Sequence, residues 1–215
     1  MPNAVNITLD EARELVSNRL LWPRVSEFLW DFAPQVHESW LEPKQLSFRD
    51  SPRVKRYILE SLGVEPCFHA FPKEDGSRIL LLDGATLESA AKWLGALACA
   101  ESLRRVTSGE VVRELKSKLR GIYPEVFGYT AYFNVAAKNA ETARKPEEIV
   151  PIGFKMLFSQ LADLPKSLVA RLKFKLPKSL CELCVLCGKE ECAISRSAVL
   201  KLFKLKFPEA YKLCC

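Results

Sequence analysis

The sequence predicts a mainly α fold: a compact multi-helix single domain, with room for one short strand or hairpin. Three observations carry this. Apolar residues recur at three- and four-residue steps through most of the chain. Helix-start chemistry precedes several of those stripes, at Thr8 with Glu11, at Ser51 with Pro52 and at Thr107 with Glu110. The 215 residues are 48% hydrophobic and 27% charged, enough to close a core and too apolar for a disordered chain.

The elements follow in order. Leu9, Ala12, Leu15, Val16 and Leu20 form the stripe of an opening helix. Pro23 opens a second, with Val25, Phe28, Leu29 and Phe32 facing inward. Trp22, Trp30 and Trp40 are expected in the core. Residues 34–50 read as a loop with a short helix. Ser51 then caps a helix with Val54, Tyr57, Ile58 and Leu62 as its buried stripe, closed by Gly63. Residues 64–77 are irregular. The run Arg78 to Leu82 fits either a short buried strand or a lead-in to the next helix.

That next helix is the strongest, capped by Thr86 and running to Val106. Leu94 and Leu97 are expected inside, and Ala90, Ala91, Gly95, Ala96, Ala98 and Ala100 allow a neighbouring helix close approach. A capping box at Thr107 and Glu110 starts a helix with Val111, Val112, Leu115 and Leu119 inward, ended by Gly121. Pro124 opens an aromatic helix from Glu125 to about Ala137, and residues 138–146 read as a linker. Ile149 to Leu161 is helical but loosened at Pro151 and Gly153. Pro165 starts another helix, although Leu172 to Leu176 also alternates like a strand. A last helix covers about 196–206. Residues 1–143 thus form an N-terminal and central helical body, and 144–215 a basic, Cys-rich helical part of the same domain.

Charge is unevenly distributed. From Arg144 onward there are 14 Lys and Arg against 7 Asp and Glu, whereas the first 143 residues hold 18 against 19. The basic third, with Lys173, Lys175, Lys178, Lys201, Lys204 and Lys206, is expected to meet an acidic protein face or an anionic membrane surface. Lys dominates it, and bidentate base recognition favours Arg, so nucleic acid is not the expected partner.

No phosphate-cradling, nucleophile-elbow or zinc-protease motif occurs. With His37 and His69 the only histidines, a multi-histidine metal centre is excluded. No catalytic, cofactor-binding or metal residue is assigned. The one metal-like pattern is Cys181, Cys184, Cys187 and Cys192. Its first three members have the spacing that wraps an iron–sulfur cluster. The fourth lacks the following proline, and the longer loop of a paired zinc knuckle is missing. On a helix, Leu180, Leu183, Cys184 and Cys187 would instead share an apolar side as small buried thiols. The expectation is no bound metal, with a Cys-ligated iron–sulfur or zinc protein, its site near residues 181–192, as the alternative reading. The N-terminus shows no basic segment followed by an apolar stretch, which predicts a cytoplasmic location.

The central block resembles the SctK group of type III secretion proteins. The residues that carry this are Leu94 and Gly95, the helix end at Leu103, Arg104, Arg105 and Val106, then Gly109, Val111, Val112, Leu119 and the aromatic run after Tyr123. Arg171 to Pro177 is similar to the group's Arg-Leu-x-Leu-x-Leu-Pro segment. The resemblance covers roughly residues 80–180; the Cys- and Lys-rich tail departs from it. It implies a small, mainly helical, non-enzymatic adaptor of the cytoplasmic sorting platform, peripheral to the inner membrane. It also implies two partners: the cytoplasmic domain of the inner-membrane ring protein and the platform's pod protein.

Overall fold

The computed structural model describes residues 9–10, 13, 18–19, 21–64, 69, 71–72, 76–133, 146–161, 163–179 and 194–215. The protein is mainly helical, with no strand among the described residues. In chain order the α-helices are α1 (Leu21–Trp30), α2 (Pro43–Ser47), α3 (Pro52–Ser61), α4 (Gly84–Ala98), α5 (Ala100–Arg104), α6 (Gly109–Lys118), α7 (Pro146–Ser159), α8 (Lys166–Phe174), α9 (Arg196–Lys206) and α10 (Pro208–Cys214). They fall into two compact units, each discontinuous in sequence. Unit 1 comprises Met1–Gly84, Asp163–Cys181 and Lys212–Cys215; unit 2 comprises Ala85–Ala162 and Glu182–Tyr211.

In unit 1, α1 buries Leu21, Val25, Phe28 and Leu29, the spacing expected of an amphipathic helix. Phe28 sits edge-on to both Phe32 and Phe71, at centroid distances of 5.5 and 5.7 Å. Two 3₁₀ turns, Ala33–Gln35 and Glu38–Trp40, lead to α2, whose Glu42 and Gln45 form a reciprocal capping box. Gly63, at φ 62°, ends α3 in the left-handed conformation that glycine adopts without strain. Of the stripe expected on α3 only Ile58 is buried; Val54 and Leu62 are half-buried and Tyr57 is 55% exposed. Trp30 is likewise 55% exposed, its ring tilted at 59° to that of the half-buried Trp22, and Trp40 is half-buried too, so none of the three tryptophans expected in the core is fully buried. Leu9 is exposed as well, while most of its predicted helix lies outside the described residues.

The run Arg78 to Leu82 is no strand. Ser77–Leu81 forms a 3₁₀ helix in which every residue is buried. A continuously apolar run has no period to separate strand from helix, and burial on all sides suits either. The alternation from Leu172 to Leu176 is resolved in the same direction. α8 runs to Phe174, and the chain then turns at Lys175.

Unit 2 is built on α4, which starts at Gly84, two residues before the expected cap, so Thr86 lies in its first turn. Leu87, Ala90, Ala91, Leu94, Ala96 and Leu97 are all buried. The helix breaks at Cys99, and α5 continues to Arg104. α6 is capped at Ser108, not Thr107, and no side-chain capping bond forms there.

Gly95 and Gly153 set the packing of α4 on α7. A Cβ on Gly95 would fall on the Ile149 carbonyl, and one on Gly153 on the Ala91 carbonyl. Each helix therefore offers a glycine to the other's backbone. Gly153 does not loosen α7, which stays continuous with Pro151 inside it.

The aromatic stretch after Pro124 departs from expectation. It forms two 3₁₀ turns, Glu125–Gly128 and Thr130–Tyr132, not one α-helix. Side chains compete for its carbonyls: the Thr130 hydroxyl and an Arg104 Nη2 both donate to Phe127 O, at 3.0 and 3.3 Å. Arg104 also donates to Thr130 Oγ1 at 2.8 Å. Such local bonding draws a backbone away from regular helix. α9 is followed by the short helix α10, Pro208–Cys214.

Candidate protein-docking surfaces

The basic third of the sequence divides into cations used inside the fold and cations left outside it. In unit 1, Arg171 is the largest fully buried side chain among the described residues. Its Nη1 donates to the carbonyls of Phe28 and Leu29, the latter at 3.1 Å. These carbonyls belong to the last turn of α1, where no backbone N–H remains to take them. A cation at a helix C-terminus also meets the negative end of the helix dipole. The guanidinium lies 5.7 and 5.4 Å from the ring centres of Phe28 and Phe32.

Lys175 repeats this one turn later. Its Nζ donates to Leu80 O at 2.6 Å and Leu82 O at 2.9 Å, and sits 4.8 Å from the Phe28 ring centre. Desolvation pushes this ammonium down to about 7, with Asp83 and Glu27 pulling the other way. Lys175 also lines a cavity of about 250 Å³ with Arg24, Glu27, Pro34, Gln35, Leu81, Asp83 and Gly84. Arg49 does comparable work, reaching the carbonyls of Ala33, Pro34 and Val36. His37 and His69 are structural: each Nδ1 accepts a nearby backbone N–H, from Ser39 at 3.1 Å and from Phe71 at 3.0 Å.

In unit 2 the lysines of α9 behave differently from one another. Lys206 pairs with Glu125 and lies 4.3 and 4.2 Å from the ring centres of Trp93 and Tyr129. Desolvation lowers its pKa, but the bonds to Glu125 and Tyr129 outweigh that and hold it above the ordinary lysine value. Lys201 donates to Tyr132 O at 3.0 Å and lies 5.5 Å from that ring's centre. Lys204 is exposed, 5.9 Å from the Tyr211 ring centre. The expected single basic face is thus graded, from Lys206 as an internal partner to Lys204 as an outer charge.

The remaining exposed large apolar residues fall in both units: Trp30, Leu46, Phe48 and Tyr57 in unit 1, Tyr132 and Leu205 in unit 2. Cys181, Cys184, Cys187 and Cys192 lie outside the described residues. Among the described residues no group of three or more His, Cys, Asp or Glu is placed to hold a metal ion. Cys99 and Cys214 are buried. No helix among the described residues is long and apolar enough to cross a membrane.

Leu94 and Gly95 on α4, the Leu103–Val106 helix end and the buried Arg171 are among the residues that carry the resemblance, and each has a definite place in the fold. The family described as YOP proteins translocation protein K (YscK) matches residues 26–214. The chain belongs to the YscK family. Membership makes it a type III secretion protein, as the resemblance to the SctK group implied. The YscK match extends through the Lys-rich tail and α1, well beyond the central block that first suggested it. No curated protein and no solved structure matches the chain.

Proposed function

We propose that the protein is a non-enzymatic adaptor of the type III secretion sorting platform. In this reading it bridges the cytoplasmic domain of the inner-membrane ring protein and the pod protein. It would act in the cytoplasm, at the periphery of the inner membrane. The observation that carries the reading is YscK-family membership over residues 26–214. Two features of the fold support it. Each compact unit has its own exposed large apolar residues on which a partner could dock. Among the described residues the ionisable groups with displaced pKa values are Lys175 and Arg49, lowered by desolvation, and Lys206, raised by its bonds to Glu125 and Tyr129; each is engaged within its own unit.

The test is co-purification of the tagged full-length chain with the ring protein's cytoplasmic domain and the pod protein, singly and together. A ternary complex is the expected result. Recovery of neither partner would remove the reading.

A further inference from the structure

We propose that the outer face of α9, centred on Lys204 and Leu205 and extended by Lys201 with Tyr132, docks an acidic segment of a partner protein that also presents an apolar side chain. The inference rests on the adaptor reading and assigns one of its contacts.

The inner face of α9 is already satisfied: Val199, Leu202 and Phe203 are buried. Leu205 is 48% exposed, and Tyr132 is 62% exposed. Neither is needed to close the core. They belong to one surface, because Lys201 bonds Tyr132 O and lies against its ring, and Leu205 follows Lys201 by one helical turn. The ring fixes the Lys201 ammonium, so little side-chain freedom remains to be lost on docking.

Charge selects the occupant. Residues 194–215 hold five cations, Arg196, Lys201, Lys204, Lys206 and Lys212, against one carboxylate, Glu209. Glu125, which reaches this helix from outside it, is taken by Lys206. Among the described residues neither Lys201 nor Lys204 has a carboxylate partner. An apolar residue set among ammonium groups that have no carboxylate partner among the described residues fits an acidic, partly apolar protein segment, whose charges would gain partners there. A membrane surface fits less well. A helix that lies in the lipid interface inserts its broad apolar face, and the apolar face of α9 is inside the protein.

The experiment uses the full-length chain carrying Lys204→Glu and Leu205→Ser, with circular dichroism to verify folding. Binding to the ring protein's cytoplasmic domain and to the pod protein is measured separately, at low and at moderate salt. Arg56→Glu, an exposed site in unit 1, is the control. The expected result is a loss of tenfold or more in affinity for one partner, about 1.4 kcal/mol, with the other unchanged. The wild-type affinity for the lost partner should fall with salt more steeply than the variant's. A folded variant that binds both partners like the wild type overturns the proposal, and so does equal loss of both. Vesicles of phosphatidylglycerol provide a further arm: wild-type binding to them, abolished in the variant while both proteins still bind, assigns the face to lipid and overturns it too. If the wild type binds neither protein, it is the adaptor reading that fails.

Discussion

In unit 1 the largest fully buried side chain is an arginine, whereas in unit 2 the closest helix contact is made where side chains are missing. Unit 1 gathers short helices and 3₁₀ turns whose ends leave many carbonyls without N–H partners. Arg171, Lys175 and Arg49 reach those carbonyls from elsewhere in the unit. Unit 2 also holds short helices and 3₁₀ turns, but its long α4 and α7 gain contact by coming together at Gly95 and Gly153. The difference teaches that a helical core can close in two ways: carbonyls at helix ends are met by long donors, and long helices that run side by side are closed by small residues.

The sharpest way to break the comparison is Arg171→Ala. Two buried carbonyls lose a charged donor, each worth about 1.5–3 kcal/mol, so a loss of about 3–6 kcal/mol is expected. Urea unfolding of the purified variant measures it. A loss below 1 kcal/mol, on the order of a neutral hydrogen bond, would show that α1 does not depend on this clamp.

Lys175 should make unit 1 pH-sensitive. Its pKa is about 7 in the folded chain and 10.5 when unperturbed. Between those values the unfolded chain holds the extra proton, so stability rises with pH across that window and is flat below it. The slope is at most about 1.4 kcal/mol per pH unit. Lys175→Met removes the titrating group. The stability of the wild type relative to the variant should therefore increase between about pH 7 and about pH 9. A difference that stays constant would mean that the two carbonyls keep the ammonium charged throughout.

Unit 2 should respond to added volume instead. Gly153→Ala places a methyl on the Ala91 carbonyl, and overpacking of this kind costs about 1–3 kcal/mol. Gly109→Ala, where a Cβ meets nothing, is the matched control. Thermal melts of the two variants should separate them, and equal melts would remove the close approach from the account of unit 2.

These contrasts also explain what the sequence made legible. The Ala- and Gly-rich face of α4 could be read because small residues at helical spacing have a single geometric use, and Leu94 and Leu97 are buried as expected. Arg171 and Lys175 could not be read as core. Their charge placed them with the solvated lysines, since only the positions of distant carbonyls mark them as internal. Tyr57 and Trp30 failed in the reverse sense: hydrophobic periodicity assigned them inward, while the fold leaves both exposed. The aromatic turn after Pro124 was missed because Arg104, twenty or more residues earlier in the chain, bonds Phe127 O and the Thr130 hydroxyl there. The docking face was partly visible. Lys201, Lys204 and Lys206 were singled out together, but nothing in their spacing separates the outer charge from the inner one.

That separation gives the smallest expected effect. Lys206 is held by Trp93, Tyr129 and Glu125, and its side chain is only 16% exposed. Among the described residues Lys204, two residues earlier, has only the distant Tyr211 ring. Replacing each by Met keeps the aliphatic stem and removes the charge. Lys206→Met should cost about 1 kcal/mol, the worth of a partly desolvated cation over aromatic faces. Lys204→Met should change stability by no more than about 0.5 kcal/mol, as for an exposed residue away from special features. Binding should show the opposite order, with Lys204→Met weakening partner capture more than Lys206→Met does. Denaturant melts and titrations on the same two proteins decide the matter. If Lys206→Met is neutral for folding yet abolishes capture, the inner lysine is the docking charge and the graded reading of α9 is inverted.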